Sequence, residues 1–397
     1  MTERGKRPLE PAHFPYLDYR RYTFSLGLET PAGVWLSGHA ASRYSPEEGT
    51  VVARGDLLEQ ARTAYEKIAL LLKEAGLTLK QVVRSVDYVT PEGLREYEGL
   101  AALRRQLFGP RPPATTTVVV RQLLRPTALI EVEAIASPGP DAAAPGEVDG
   151  LHRAQARRLG DLLFIAGQLP FRPGTREVAH PGDIVAQAEQ IYENAGRLLA
   201  AAGLGWESVV KTVEYLTPAG LPRYRETAAV RRRYLAPRYP AATGIVMPRL
   251  EHQDALLQVE FIASYGPKEV VDPGWPHYQR LTFSPGVRTG RLLFVSGMWA
   301  ADPLTGEVQH PGDVAGQAGY VYQSLIGPVL RAAGVGLEAL LRTVEYVAPA
   351  ALPGYAATAE VRRQLLPPPF PAATGVVCES LLRPDVLIEV DAVALLP

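Results

Sequence analysis

Between residues 130 and 134 the chain alternates at every step. Ile130, Val132 and Ala134 fall on one face and Glu131 and Glu133 on the other, which is the period-two pattern of a β-strand. The pattern returns around Gln258 and Glu389, each time after a β-branched stretch opening at Pro113, Pro240 or Pro371. Upstream the period changes. Ala61, Tyr65, Ile68 and Leu72 recur at helical spacing after Asp56, an N-cap residue with Glu59 three positions on to complete a capping box. Asp183 and Asp313 occupy the same place in later copies, and Gly76, Gly203 and Gly334 stand where these helices must stop. Strands are expected over 82–89, 209–216 and 340–347. A second helix follows from about Leu94 to Phe108, and a strand such as 292–297 ends on a glycine where close backbone approach is expected.

The unit is therefore β-β-α-β-α-β-β, an α+β fold, repeated at Gly38, Gly167 and Gly297 with a period of about 130 residues, domain-sized rather than solenoid-sized. Stretches rich in Pro and Gly at 137–146 and 265–274 read as linkers. The expected units span 1–140, 147–266 and 274–397. A sheet with both helices on one face leaves its other face uncovered. Three such units are expected to pack sheets inward and helices outward around a pseudo-threefold axis, as an intramolecular pseudo-trimer that is a monomer in solution.

Composition narrows the function. The 397 residues carry a net charge of −1, which gives no field to attract nucleic acid or an anionic membrane. The arginine pairs Arg104-Arg105, Arg231-Arg232 and Arg362-Arg363 read as solvated or interface-bridging faces. No apolar run is long enough to span a bilayer, and the polar start lacks a signal-peptide core. With the single Cys378, these features point to the reducing cytoplasm. His39, His180 and His310 recur, yet no two of the chain's histidines sit at zinc-ligand spacing. Neither a metal nor another cofactor is expected, and there is no Walker, dinucleotide or nucleophile-elbow motif.

Several anchors recur together: Ser-Gly at Ser37-Gly38 and Ser296-Gly297, the Gly-Asp helix cap, Pro-Ala before the fourth strand, and Ile130-Glu131-Val132-Glu133 in the last. On these, each repeat resembles the Rid family (YjgF/YER057c/UK114), small proteins with a chorismate-mutase-like fold that form homotrimers. The chain looks like such a trimer fused into one polypeptide. The resemblance implies hydrolysis of reactive enamines or imines at sites between neighbouring units. Ser37, Gly38, Phe24, Ser296, Gly297 and Phe283 would then contact substrate, and Glu131 and Glu389 would be the catalytic acids. The arginine of the family's Pro-Ala-Arg motif, which holds the substrate carboxylate, is missing. Its positions hold Thr115, Ala242 and Ala373, and no other side chain offers that paired donor geometry. Thr115, Thr116, Thr243 and Thr374 are the hydroxyl donors left nearby. The second repeat looks degenerate, with Ala166, Gln258 and Arg153 replacing the serine, the glutamate and the aromatic residue.

A carboxylic acid raised in pKa by burial can move a proton or position water, and that is the role expected of Glu131 and Glu389. Glu133, Glu260 and Asp391, acidic in every copy, suit structural pairing. Asp87, Glu214 and Glu345 need partners, for which Arg84, Lys211, Arg342 or the helix arginines are candidates. The functional expectation is a cofactor-independent Rid-type deaminase acting on a small enamine, imine or related unsaturated substrate. The alternatives are a non-catalytic metabolite-binding or scaffold pseudo-trimer, and a chorismatase-like enzyme acting on a cyclic carboxylate.

Overall fold

A computed structural model describes residues 5–139 and 145–397. The first four residues and part of the 137–146 linker lie outside it. Each repeat forms one sheet whose spatial order is first hairpin strand, second hairpin strand, last strand, central strand, penultimate strand. In the second repeat these are Ala156–Leu159, Leu162–Gln168, Leu257–Ser264, Val209–Leu216 and Ala241–Val246. Only the central and penultimate strands run parallel, because a helix connects them.

The long first helix spans Leu57–Glu74 in repeat one and Ile184–Ala201 in repeat two. Asp56 accepts from Glu59 N at 2.9 Å and Glu59 accepts from Asp56 N at 3.2 Å, closing the capping box. Asp183 and Asp313 each accept from the backbone N–H groups two and three positions on, at 3.0–3.3 Å, without a reciprocal side-chain bond, and Gly76, Gly203 and Gly334 follow the helix ends with positive φ. In repeat three the helix passes through a π turn at Val321–Ile326. Pro328 lies just beyond it and has no N–H to continue the regular ladder. The second helix is shorter than its pattern implied. In repeat one, Gly93–Gly99 winds as 3₁₀ before the α-helix Leu100–Phe108.

Each sheet packs its helices through a core of its own, such as Ile68, Leu72, Val132 and Ala134 in repeat one. The opposite faces build two shared cores. Val86, Tyr88, Val213, Tyr215, Val344 and Tyr346 meet in one, and Trp35, Phe164 and Phe294 in the other. The alternation at residues 130–134 is thereby explained: Ile130, Val132 and Ala134 face the helices, while the acids face the other repeats.

The ring closes through strand edges. Parallel bridges join Ser25 to Ala372, Ala154 to Ala114 and Ser284 to Ala241, so each repeat docks its entry strand on a neighbour's penultimate strand. The loops between the closing strands cross the same way, with Val376 and Val377 pairing Leu123 and Gln122, and Ser380 bridging Val246. The fold is three Rid-like units closed into an intramolecular pseudo-trimer. No helix among the described residues is long and apolar enough to cross a membrane.

Candidate active site

Two tiers of buried charge underlie the clefts. On the helix side, Tyr97 Oη and Arg104 Nη2 both donate to Asp87 Oδ2, at 2.8 and 2.5 Å. Tyr224 and Arg231 treat Glu214 likewise, as do Tyr355 and Arg362 with Glu345. Each of these arginines also reaches into the next repeat, to Leu151 O, Thr282 and Thr23. The first arginine of each pair therefore bridges an interface, and the second is exposed.

On the inward side a network links all three repeats. Glu133 accepts from Arg84 and from both Nε and Nη2 of Arg342 at 2.9–3.0 Å. Arg84 also pairs with Glu260 at 2.7 Å, Arg342 with Asp391 at 3.0 Å, and Lys211 with Asp391 at 2.5 Å. Among the described residues Lys211 forms an ion pair with one acid. An ammonium is a point charge, whereas a guanidinium spans two carboxylates. Arg84, Lys211 and Arg342 are thus committed to this network and do not pair with Asp87, Glu214 or Glu345. The reason is parity, since residues three apart on a strand face opposite ways.

The expected inter-repeat sites fall where these inward faces meet a neighbour's penultimate strand. Gly38, Gly167 and Gly297 sit at breaks or bulges of the second hairpin strand. A Cβ at Gly38 would come within 2.0 Å of Glu131 Oε1, and one at Gly297 within 2.1 Å of Glu389 Oε1. The glycine is required because the acid packs directly on the backbone. Ser37 Oγ donates to Ser25 O at 2.6 Å and accepts from Ala373 N at 2.8 Å. Ser296 repeats this with Ser284 O and Ala242 N. Both hydroxyls thus tie the repeats together. Thr374 accepts from Gly38 N at 3.0 Å and Thr116 from Gly167 N at 2.9 Å. Thr243 bridges Lys211 and Asp391, and Thr115 bonds Ser85. Phe24 packs beside Tyr22, and Phe283 beside Tyr278.

The three clefts differ. In the second repeat, Arg153 fills the aromatic position and is clamped by Asp149, Glu251 and Thr117, making that cleft a salt-bridged joint. In the third, Glu389 is buried, and its Oε2 has no hydrogen-bond partner among the described residues. Burial, reinforced by Asp391 and opposed by Lys211, pushes its carboxyl up to about 8. Glu131 is half-buried, and burial raises it to about 8 as well, with Lys67 pulling the other way, Glu133 adding to the rise and Arg125 opposing it.

Lys67 escaped notice in the sequence. Its Nζ donates to Ala40 O and Ser42 O at 2.7 and 2.6 Å and lies 4.8 Å from the Tyr16 ring. Burial lowers its pKa to about 7, against the pull of Glu131. Asn194 makes the equivalent bonds to Leu169 O and Phe171 O in repeat two. The available signal was a lysine within an apolar helix stripe where the other repeats carry neutral residues. His39 bonds Leu26 O, and His180 and His310 occupy positive-φ turns before their caps. Among the described residues no group of three or more His, Cys, Asp or Glu could hold a metal ion.

The family model for endoribonuclease L-PSP matches residues 20–137, 151–265 and 278–396. The chain belongs to that family. It carries three tandem Rid-like repeats, each the counterpart of a whole single-unit relative. A RutC family protein of Pyrococcus horikoshii is 36% identical over 110 residues, 28% of this chain and 84% of the relative. One of Haemophilus influenzae is 36% identical over 116 residues, again 28% of this chain and 83% of its own. A chorismatase crystal structure aligns with a TM-score of 0.52 over 79% of this chain and 93% of that one, at 18% identity. At that identity the likeness is one of fold. This L-PSP-family chain thus has the architecture of a Rid-type enzyme, with Arg153 salt-bridged at one inter-repeat site, Glu389 buried at another and Glu131 half-buried at the third.

Proposed function

We propose that the protein is a cofactor-independent Rid-type hydrolase that deaminates a small enamine, imine or related unsaturated substrate in the cleft between its first and third repeats, with Glu131 as proton donor. The observation that carries this reading is a half-buried carboxyl, packed against Gly38 and held protonated at neutral pH, with a pKa near 8. A carboxylic acid kept neutral at pH 7 can deliver its proton to the β-carbon of an enamine. Water then adds to the resulting iminium carbon and ammonia leaves, giving the carbonyl product. Glu389 has the same pKa but lies buried, so catalysis is assigned to the first cleft. The chain acts as a monomer in the cytoplasm, with units near 1–140, 147–266 and 274–397.

The test is imine hydrolysis coupled to an amino-acid oxidase. Glu131→Gln is expected to lower kcat/KM by about 100-fold or more, the scale of general acid catalysis, while Glu389→Gln changes it by less than about tenfold. The wild-type rate should fall as pH rises past about 8, because the donor is lost on ionisation. Absence of turnover on any enamine or imine by the folded protein would favour the scaffold alternative.

A further inference from the structure

The first repeat has a crevice built from elements that give it a character of its own. Its volume is about 840 Å³, within the range of small-molecule sites. One wall is the segment 11–22, another is the hairpin Arg43–Ser45 with Thr50–Val52, and Arg125 closes a third. Repeats two and three carry only single bridges, Phe171 to Val178 and Ala301 to Val308, where this hairpin stands. The lining combines flat rings, among them Tyr16 and Tyr22, with three guanidiniums, Arg20, Arg21 and Arg125. Its one acid, Asp18, is paired with Arg21 at 2.8 Å. Arg20 lies over the Tyr19 ring. Arg125 has no ion-pair partner among the described residues; the one hydrogen bond of its side chain there is to Tyr22 Oη at 3.4 Å. An excess of cation beside aromatic surface suits an anion with a planar apolar body.

We propose that this crevice binds the substrate of the first cleft, that the substrate is a ring-bearing carboxylate, and that Arg125 grips the carboxylate in place of the arginine missing at Thr115, Ala242 and Ala373. The inference rests on the proposed catalytic cleft, and two walls connect the two sites. Tyr22, the hydrogen-bond partner of Arg125, packs against Phe24 with ring centroids 5.3 Å apart, and Tyr16 covers Lys67, whose Nζ bonds the carbonyl of Ala40, the strand partner of Glu131. The missing arginine would have come from a penultimate strand. Arg125 comes instead from the loop between closing strands, whose Leu124 packs against Gly375 of the third repeat. The cation has thus moved along the chain but stays at the same inter-repeat boundary.

The experiment is calorimetric titration of the full chain with benzoate and phenylpyruvate, with benzyl alcohol as uncharged control and acetate as ringless control. The ring-bearing carboxylates are expected to bind and both controls to bind at least tenfold more weakly. Arg125→Gln should weaken benzoate at least tenfold and leave benzyl alcohol unchanged, with Arg125→Lys intermediate. Arg121→Gln, which removes only an exposed pair with Glu379, should leave the affinity unaltered. A wild-type protein indifferent to benzoate, or an Arg125→Gln protein of unchanged melting temperature that binds it normally, would overturn the proposal. Binding is read without turnover, so the two readings fail separately. Benzoate binding with no deamination removes the enzyme assignment alone, and deamination of ringless imines untouched by Arg125→Gln removes this inference alone.

Discussion

Replacing Glu389 by glutamine tests the electrostatics of the clefts directly. The buried carboxyl ordinarily titrates near 4.5 and is held to about 8 by burial, by Asp391 and against Lys211. The native state therefore keeps a proton that the unfolded chain releases above pH 4.5. The stabilising contribution of that proton is complete below pH 4.5 and is lost as pH rises through 8. At about 1.4 kcal/mol per pH unit, release of the proton by the unfolded chain lowers native stability by about 3 kcal/mol at pH 7, and the loss levels off at about 5 kcal/mol once the native carboxyl also ionises near pH 9. Glutamine keeps the shape and never ionises, and Gln258 already occupies the equivalent place in repeat two, against Gly167. Urea unfolding at pH 5, 7 and 9 is the assay. Wild type and Glu389→Gln should agree within about 1 kcal/mol at pH 5, with the variant the more stable by about 3–5 kcal/mol at pH 9. A difference that stays the same from pH 5 to pH 9 would show that Glu389 does not titrate in this range, and the argument would fall.

Glu133→Gln strips two guanidiniums, Arg84 and Arg342, of a shared buried acid. A loss of about 3–5 kcal/mol is expected, and adding Arg84→Met should deepen it, because Glu260 then loses its guanidinium partner as well; a single variant as stable as wild type in denaturant would contradict the network. Ser37→Ala and Ser296→Ala each remove one accepted and one donated bond at an inter-repeat seam. Each should cost about 1–3 kcal/mol, and because the two sites have matching geometry their melting temperatures should drop alike. A large drop for one and none for the other would refute a common structural role.

Much of this protein is local and periodic, and that part could be read from residue order alone. The caps at Asp56, Asp183 and Asp313, the helix stops at Gly76, Gly203 and Gly334, and the parity separating Ile130 from Glu131 each depend on neighbours within a few positions. The threefold repetition then implied inward-facing acids, and Glu133, Glu260 and Asp391 do face inward. Which cation meets which acid required the fold. Arg342 and Glu133 lie 209 residues apart, and no local pattern distinguishes Arg84 from Arg104 as the partner of Asp87 unless strand parity is followed through. The division of labour among the clefts was also settled by packing. Arg153 becomes a plug only because Glu251 and Thr117 converge on it, and Lys67 bears on Glu131 only because a helix lies across the early strand. Periodicity is a property of the backbone and survives in the sequence. Charge pairing across repeats is a property of three-dimensional proximity, and it arises only when the ring closes.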